Sequence, residues 1–143
     1  MEQKDYMLRE IEKTGAIVRM IASKVAGRAH RKGATAEVLY RQTAEDLLYY
    51  LEFDLGAFIQ KNDDQAVEYI EKIKGFDIEN LLMLSTLLEK IAVKQECNTK
   101  LALLHKALLI LEHIKVIDEA NSADHEQRIA LIKEHIKKSE PHR

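Results

Sequence analysis

An all-α fold is predicted for this chain, and three features of its sequence predict it. Of the 143 residues only 5 are Gly and 1 is Pro, so few residues interrupt a helix. Apolar residues recur in steps of three and four along most of the chain, which is the period of an amphipathic helix. Nowhere do apolar and polar residues alternate as they do in a strand. We therefore expect one domain, residues 1–143, of six or seven helices whose short connections make successive helices antiparallel.

The first helix is predicted to begin at Asp5, a residue type that often caps helices, and to run to about Gly27. Gly15 lies beside its apolar stripe and would let a partner helix approach closely. The polar stretch 27–33, bounded by glycines, is predicted to be the first connection. The apolar stripe consists of Met7, Ile11, Thr14, Val18, Ile21 and Val25.

Thr35 is predicted to cap a second helix that extends to about Phe53. We expect Tyr40, Tyr49 and Tyr50 to pack at the margins of this helix with their hydroxyls in water. A short helical turn is expected after it, around residues 55–59. The apolar face of the second helix is Val38, Leu39, Leu47, Leu48 and Leu51.

Asn62 and Gln65 have the spacing of a capping box and are predicted to open a helix over residues 63–74. Gly75 is placed to follow that helix as its C′ residue. Asp77 is predicted to cap the next helix, and the chain is expected to turn around residues 96–98. The expected apolar face of this next helix is Leu81, Leu84, Leu88 and Ile91.

Residues 101–117 (LALLHKALLILEHIKVI) form the most apolar segment, which contains charged residues that a lipid-facing helix would carry at high cost. We therefore predict a helix buried on most sides, which together with the first helix forms the centre of the molecule. Ser122 is predicted to cap a last helix that ends before Pro141. Its expected buried residues are Ile129, Ile132 and Ile136.

The composition favours a soluble cytoplasmic protein. The formal net charge of −2 argues against strong charge-driven binding to nucleic acid or a membrane. The single cysteine, Cys97, cannot form an intramolecular disulfide, and residues 1–10 lack the apolar run of a signal peptide. The charge is uneven: residues 1–33 carry +4, residues 34–96 carry −7 and residues 97–143 carry +1. The basic and acidic parts can attract each other within one molecule, between two copies, or toward a partner.

No catalytic motif is present, and we expect no cofactor and no enzymatic activity. A metal-dependent helical hydrolase is the enzymatic alternative, because His105, Glu112 and His113 share roughly one helical face and His135 can approach them from an antiparallel last helix. The segment has none of the ligand pairs three or four residues apart that helical metal sites normally use. We therefore expect these histidines to be solvated or to lie at the edge of the core, with no bound metal.

A weak nucleic-acid binder is the other alternative, since a basic patch is predicted at the end of the first helix. The acidic middle of the chain opposes this function, and no aromatic residues interleave with the patch to stack on bases. A solvated loop is the favoured interpretation. The patch consists of Arg19, Lys24, Arg28, His30, Arg31 and Lys32.

Residues 77–117 are predicted to be two long helices joined tightly, which is the basic unit of an α-solenoid. A tetratricopeptide unit has small residues where its helices cross; Ala107 fits that pattern, whereas Lys100 and Leu88 depart from it. Residues 5–11 (DYMLREI) and 106–108 (KAL) resemble segments of an uncharacterised bacterial family of short, tetratricopeptide-like helical proteins. The resemblance covers most of the chain and weakens in residues 53–76. It implies a tetratricopeptide-like right-handed array or a compact irregular bundle, and no catalytic residues.

These observations together predict a non-enzymatic helical scaffold that binds a protein or peptide, or a second copy of itself as a homodimer. The binding surface is expected to be an apolar groove between helix pairs, with flanking charges that set the orientation of the partner. Aromatic residues contribute strongly when an interface buries them, so the predicted exposed anchors are the aromatic residues of the second helix and its continuation. These anchors are Tyr40, Tyr49, Tyr50, Phe53 and Phe58, each of which has core packing as its alternative role.

Overall fold

The computed structural model describes residues 2–31, 33 and 35–141, and in these residues the chain is all-α, as predicted. They form seven α-helices and one short 3-10 turn, and no strand. The helices are α1 (Glu2–Ala29), α2 (Ala36–Leu51), α3 (Leu55–Gln60), α4 (Asp63–Lys72), α5 (Ile78–Ala92), α6 (Cys97–Ile117) and α7 (Ser122–Ser139), with the 3-10 turn at Glu119–Asn121.

Side-chain caps fix the starts of α2 to α5. The side chains of Thr35 and Asp77 accept hydrogen bonds from the third residue of their helices, and Asn62 and Gln65 form the predicted capping box. Two predicted starts are wrong. Helix α1 begins at Glu2, so Asp5 lies inside it, and α7 is entered directly from the 3-10 turn, so that Ser122 is its first residue rather than its cap.

Helices α5 and α6 form the centre of the molecule. Each has eight buried residues, α7 packs on the far side of α6, and α1 packs between α5 and α2. The prediction that α1 and the segment 101–117 form the centre together is therefore only half correct. The apolar surface of α5 extends around most of its circumference, and α5 separates α1 from α6.

The long helices that follow one another in the chain, α1 and α2, α5 and α6, and α6 and α7, form antiparallel pairs, as expected, whereas α1 and α5 run in the same direction. Opposite ends meet in α6 and α7, because Cys97 lies against Ser139 and Lys115 pairs with Glu126. Gly15 of α1 lies against Asn80 at the start of α5, and the later residues of both helices stay together. As a result, the start of α1, the end of α2, the start of α5 and the end of α6 share one end of the bundle.

The segment between α4 and α5 is clamped onto α1. The amide of Asn80 donates to the carbonyls of Ile11 (2.9 Å) and Gly75 (2.7 Å). Gly75 has φ +93°, and a Cβ there would lie 2.7 Å from the carbonyl oxygen of Glu10. Gly15 leaves room for Asn80, because a Cβ on residue 15 would lie 2.8 Å from the Oδ1 atom of Asn80. This agrees with the prediction that Gly15 lets another helix approach α1 closely. Helix α4 ends at Lys72, so its C′ residue is Lys74, and Gly75, the predicted C′ residue, lies one position further on.

The connection from α2 to α4 places a cluster of aromatic side chains in the core. Helix α2 ends at Leu51, Glu52 adopts a left-handed conformation, and the chain then buries Phe53 against Phe58, with ring centroids 5.1 Å apart. The hydroxyl of Tyr69 accepts a hydrogen bond from the backbone N–H of Asp54. On the other side of α3, the ammonium group of Lys106 donates to the carbonyl of Lys61 at 2.7 Å, which ties this corner to α6.

The predicted apolar faces are confirmed in most of their length, with two clear exceptions. The side chain of Met7 in α1 is 63% exposed and that of Leu48 in α2 is 53% exposed. Both lie near the end of the bundle where neighbouring helices stop covering them. Among the described residues, no helix is long and apolar enough to cross a membrane.

Candidate interaction surface at one end of the bundle

Exposed apolar side chains are concentrated at one end of the bundle. Ten large apolar or aromatic side chains are exposed among the described residues, and only Val93 and Leu131 lie elsewhere. The other eight lie at the start of α1, the end of α2 and the end of α6, which share this end of the bundle, although among the described residues α6 contacts neither α1 nor α2. We call this surface the apolar end; its residues are Tyr6, Met7, Leu8, Leu48, Tyr49, Tyr50, Val116 and Ile117.

A cleft of about 640 Å³ separates the start of α1 from the segment that links α4 to α5. The ammonium group of Lys74 lies 5.7 Å from the ring centroid of Tyr6, so a cation covers one side of this aromatic ring. The cleft can accept apolar side chains because most of its wall is aliphatic or aromatic. Its apolar lining is Tyr6, Met7, Ile11, Ile73 and Phe76.

A second cleft, of about 480 Å³, lies on the other side of α1 and is walled by the last turn of α2. Tyr49 and Tyr50 lie here with their rings edge to face, 4.8 Å between centroids, and Lys24 lies 5.6 Å from the Tyr50 ring. The two clefts share Glu10 and residues 72–74. They therefore form one continuous surface that wraps around the first half of α1.

The charges on this surface have both signs. The carboxylates of Glu10 and Glu52 lie beside the ammonium groups of Lys13, Lys72 and Lys74 along the second cleft. Such a mixed rim does not select a strongly acidic or a strongly basic partner. It can orient a partner whose charges alternate in a complementary way.

The five aromatic residues predicted as exposed anchors divide into three groups. Tyr49 is 80% exposed and Tyr50 is 40% exposed, so both are available to a partner. Tyr40 is half-buried against the core, and burial, with a smaller contribution from the Asp54 carboxylate, raises the pKa of its hydroxyl. The prediction of exposure is wrong for Phe53 and Phe58, which are fully buried because the left-handed turn at Glu52 directs the chain inward.

Sequence reasoning missed Tyr6, Met7 and Leu8 and the end of α6 as parts of this surface. A usable signal was present in the runs 6–8 (YML) and 47–51 (LLYYL). Successive helical residues are about 100° apart, so five consecutive apolar residues cover the whole circumference and cannot all face one neighbour. At a helix end with few neighbouring helices, part of such a run is therefore expected to remain exposed, as Leu48, Tyr49 and Tyr50 do.

His105, Glu112 and His113 line one cleft between α4 and α6, whereas His135 does not join them. His113 lies 3.6 Å from Glu71 of α4, whereas His135 lies on the side of α7 that faces Glu89 of α5. His105 is exposed along the groove between α4 and α6. In the part of the chain that the structure describes, no group of three or more His, Cys, Asp or Glu residues is arranged to hold a metal ion.

The predicted basic patch is divided by an internal ion pair. Lys24 and Arg28 both lie near the carboxylate of Asp46 in α2, at 3.7 and 3.4 Å, so the acidic middle of the chain neutralises part of the patch within the molecule. Arg19 lies on a different face of α1. Lys32 lies outside the described residues.

No protein-family model, no curated protein and no solved structure matches this chain. The resemblance to a bacterial tetratricopeptide-like family therefore gains no support from known proteins, whereas the all-helical fold it implies is present.

Proposed function

We propose that this protein is a non-enzymatic helical scaffold that binds a protein or peptide through the apolar end. The observation that carries the proposal is that, of the ten large apolar side chains exposed in the described part of the chain, eight lie at one end of the bundle. Clusters of exposed apolar side chains are typical of interaction sites, because leaving apolar surface in water is unfavourable. The two clefts around α1 supply concave sites for a partner's side chains.

Tyr49 and Tyr50 are the proposed anchors of the interface. Their large rings are exposed beside a cleft, and their hydroxyls can stay at the wet rim while the rings become buried. A second copy of the chain is one partner that this surface can accept, because charges of both signs surround it.

The arrangement of helix pairs also supports a tetratricopeptide-like stacking. Helices α1 and α5 run in the same direction, and each packs against its own antiparallel partner, α2 or α6. The free thiol of Cys97 fits a reducing compartment such as the cytoplasm, where we place the protein.

The test compares the wild-type chain with a variant that carries both Tyr49→Ala and Tyr50→Ala. Each is used to capture partners from lysate of the source organism in a high-salt wash, and each is examined by sedimentation velocity for self-association. We expect the double variant to lose specific association at least tenfold while its helical circular dichroism is unchanged.

The matched control carries Val93→Ala and Leu131→Ala, which remove exposed apolar side chains far from the apolar end. This control should associate as the wild type does. Equal association of all three proteins, or a wild-type chain that captures nothing and stays monomeric, would contradict the proposal. Loss of helicity in the double variant would assign Tyr49 and Tyr50 to the core; leucine at both positions then tests the surface with apolar volume retained.

A further inference from the structure

A separate groove lies along α5, on the face that α1 and α7 leave open. Helix α7 packs against α6 and reaches α5 only through side chains, among them Arg128, whose guanidinium lies 3.4 Å from the hydroxyl of Thr86. The groove has a volume of about 280 Å³ and shares no lining residue with the two clefts of the apolar end. Its floor is aliphatic and consists of Val18, Ala22, Leu82, Met83 and Leu87.

Three cationic side chains from three different helices border this apolar floor: Arg19 of α1, Lys90 of α5 and Arg128 of α7. Within the described residues, none of the three forms an ion pair with a carboxylate. By contrast, Lys24 and Arg28, further along α1, both lie within ion-pair distance of Asp46. The groove therefore combines a hydrophobic floor with a rim of three positive charges.

Two carboxylates lie near the groove and make the electrostatic potential differ between its two ends. Glu79 lines the groove at the start of α5, and Lys90 lies at its other end. Glu89 lies close enough to Arg128 and His135 for both to lower its pKa, although burial has the larger effect and raises it. The Nη1 atom of Arg19 lies close to Gly15 and Asn80, toward the Glu79 end of the groove. The positive potential is therefore strongest at the other end, between Lys90 and Arg128.

The dimensions suit a short peptide segment. The 11 steps from Glu79 to Lys90 span about 16 Å of helix, which is the length of about five residues of extended chain. No aromatic side chain lines the groove among the described residues, so it lacks the aromatic platform on which single-stranded nucleic acids usually stack. An aliphatic floor is matched better by an aliphatic side chain of a peptide.

We propose that this groove binds an acidic peptide segment in which Asp or Glu residues flank an aliphatic side chain. The aliphatic side chain lies on Leu82 and Met83, and the flanking carboxylates pair with Arg19, Lys90 and Arg128. The repulsion from Glu79 places the acidic residues toward the Lys90 end. This binding site is independent of the apolar end.

The test is a selection of random peptides displayed on phage against the full-length chain. We expect the enriched peptides to carry at least two Asp or Glu residues around a Leu, Ile, Met or Val. A synthetic, fluorescently labelled copy of the most enriched peptide should bind about tenfold or more weakly to the variant R19E/K90E/R128E, and binding should weaken as salt is raised. The neutral variant R19Q/K90Q/R128Q should show an intermediate loss and guards against misfolding of the charge-reversed protein.

The control variant R41E/K133E/K137E has the same change in net charge on exposed residues outside the groove, and it should bind the peptide as the wild type does. Enrichment of peptides without acidic residues would overturn the proposal. If the groove and control variants weakened peptide binding equally, the binding would be general electrostatic attraction, and the groove would not be the binding site. Binding of single-stranded oligothymidylate through Arg19, Lys90 and Arg128, with no acidic peptide enriched, would assign the three cations to nucleic acid instead.

Discussion

Two glycines of this chain occupy opposite kinds of environment. Gly75 has a positive φ of 93°, and a Cβ there would strike the carbonyl of Glu10 and the side chain of Thr14. Gly27 lies in α1 with nothing within 4 Å of the place that a Cβ would occupy. The same substitution at these two positions therefore separates a required glycine from one that the fold does not need.

We predict that Gly75→Ala lowers the free energy of unfolding by about 2–3 kcal/mol, because it adds backbone strain and forces the 73–77 segment away from α1. Urea denaturation followed by circular dichroism measures this loss. The control, Gly27→Ala, should instead raise the free energy of unfolding by about 0.5–1 kcal/mol, since alanine is the better helix former. A similar small change at both positions would show that the segment is not held against α1.

A buried histidine in the first turn of α7 pairs with the carboxylate that follows α6. His125 is 4% exposed, and its Nε2 lies 2.8 Å from Oδ2 of Asp118. The hydrogen bond with His125 is the main reason that the pKa of Asp118 is lowered, and the amide of Asn121 adds to the effect. Because the folded state favours the carboxylate form, this pair stabilises the fold only while Asp118 is ionised.

We predict that Asp118→Asn reduces stability more near pH 6 than at low pH. A lowered folded-state pKa contributes stability above the unfolded-state pKa of about 4, and that contribution disappears as the pH falls through the lower folded-state pKa. The difference in free energy of unfolding between wild type and variant should therefore shrink between about pH 5 and pH 3. Urea titrations at several pH values across this range measure that difference. A difference that stays constant with pH would show that ionisation of Asp118 does not stabilise the fold.

At the scale of the elements, the end of α2 determines where the following chain goes. Glu52 has φ 55° and ψ 28°, and the N–H groups of Glu52 and Phe53 reach back to the last carbonyls of the helix. This left-handed residue ends the helix and directs Phe53 into the core. A residue with a Cβ pays about 1–2 kcal/mol in this conformation.

We predict that Glu52→Gly raises the free energy of unfolding by about 0.5–1 kcal/mol, because relief of the left-handed strain exceeds the extra entropy of glycine in the unfolded chain. The control is Glu45→Gly, the same chemical change at an exposed interior position of α2, which should lower it by about 1 kcal/mol. Thermal and urea denaturation of the two variants measure these opposite signs. Destabilisation by both would mean that Glu52 stabilises the turn through its side chain.

At the scale of the whole molecule, stability is expected to be greatest where helices are surrounded by others. Helices α5 and α6 are covered on most sides, whereas the first two turns of α1 expose Tyr6, Met7 and Leu8. We predict that the slowest amide hydrogen exchange occurs in the middle of α5 and α6, and that the start of α1 exchanges fastest among the long helices. Exchange followed by NMR tests this order; slowest exchange in α1 would contradict the assignment of α5 and α6 as the centre.

Only part of the candidate surface could be predicted from the sequence. The exposure of Tyr49 and Tyr50 was predicted from the sequence, and the structure confirms it, whereas their role in an interface stays a prediction. Phe53 and Phe58 were assigned to the same surface wrongly, since the sequence does not show that Glu52 takes a left-handed conformation. Tyr6 and Ile117 lie at the same end of the molecule as Tyr49 because of how the helices pack, and periodicity within one helix contains no information about that packing.

The sequence by itself determined the all-α class, the caps at Thr35, Asn62 and Asp77, and most of the buried positions. These features depend on residues three or four apart, whose interactions are local and can be read along the chain. Only the tertiary structure decided that α5 separates α1 from α6, that the exposed apolar side chains gather at one end, and that Arg19 and Arg128 border one groove. Those relations join residues far apart in sequence, and they are fixed by how whole helices pack rather than by the pattern within any one of them.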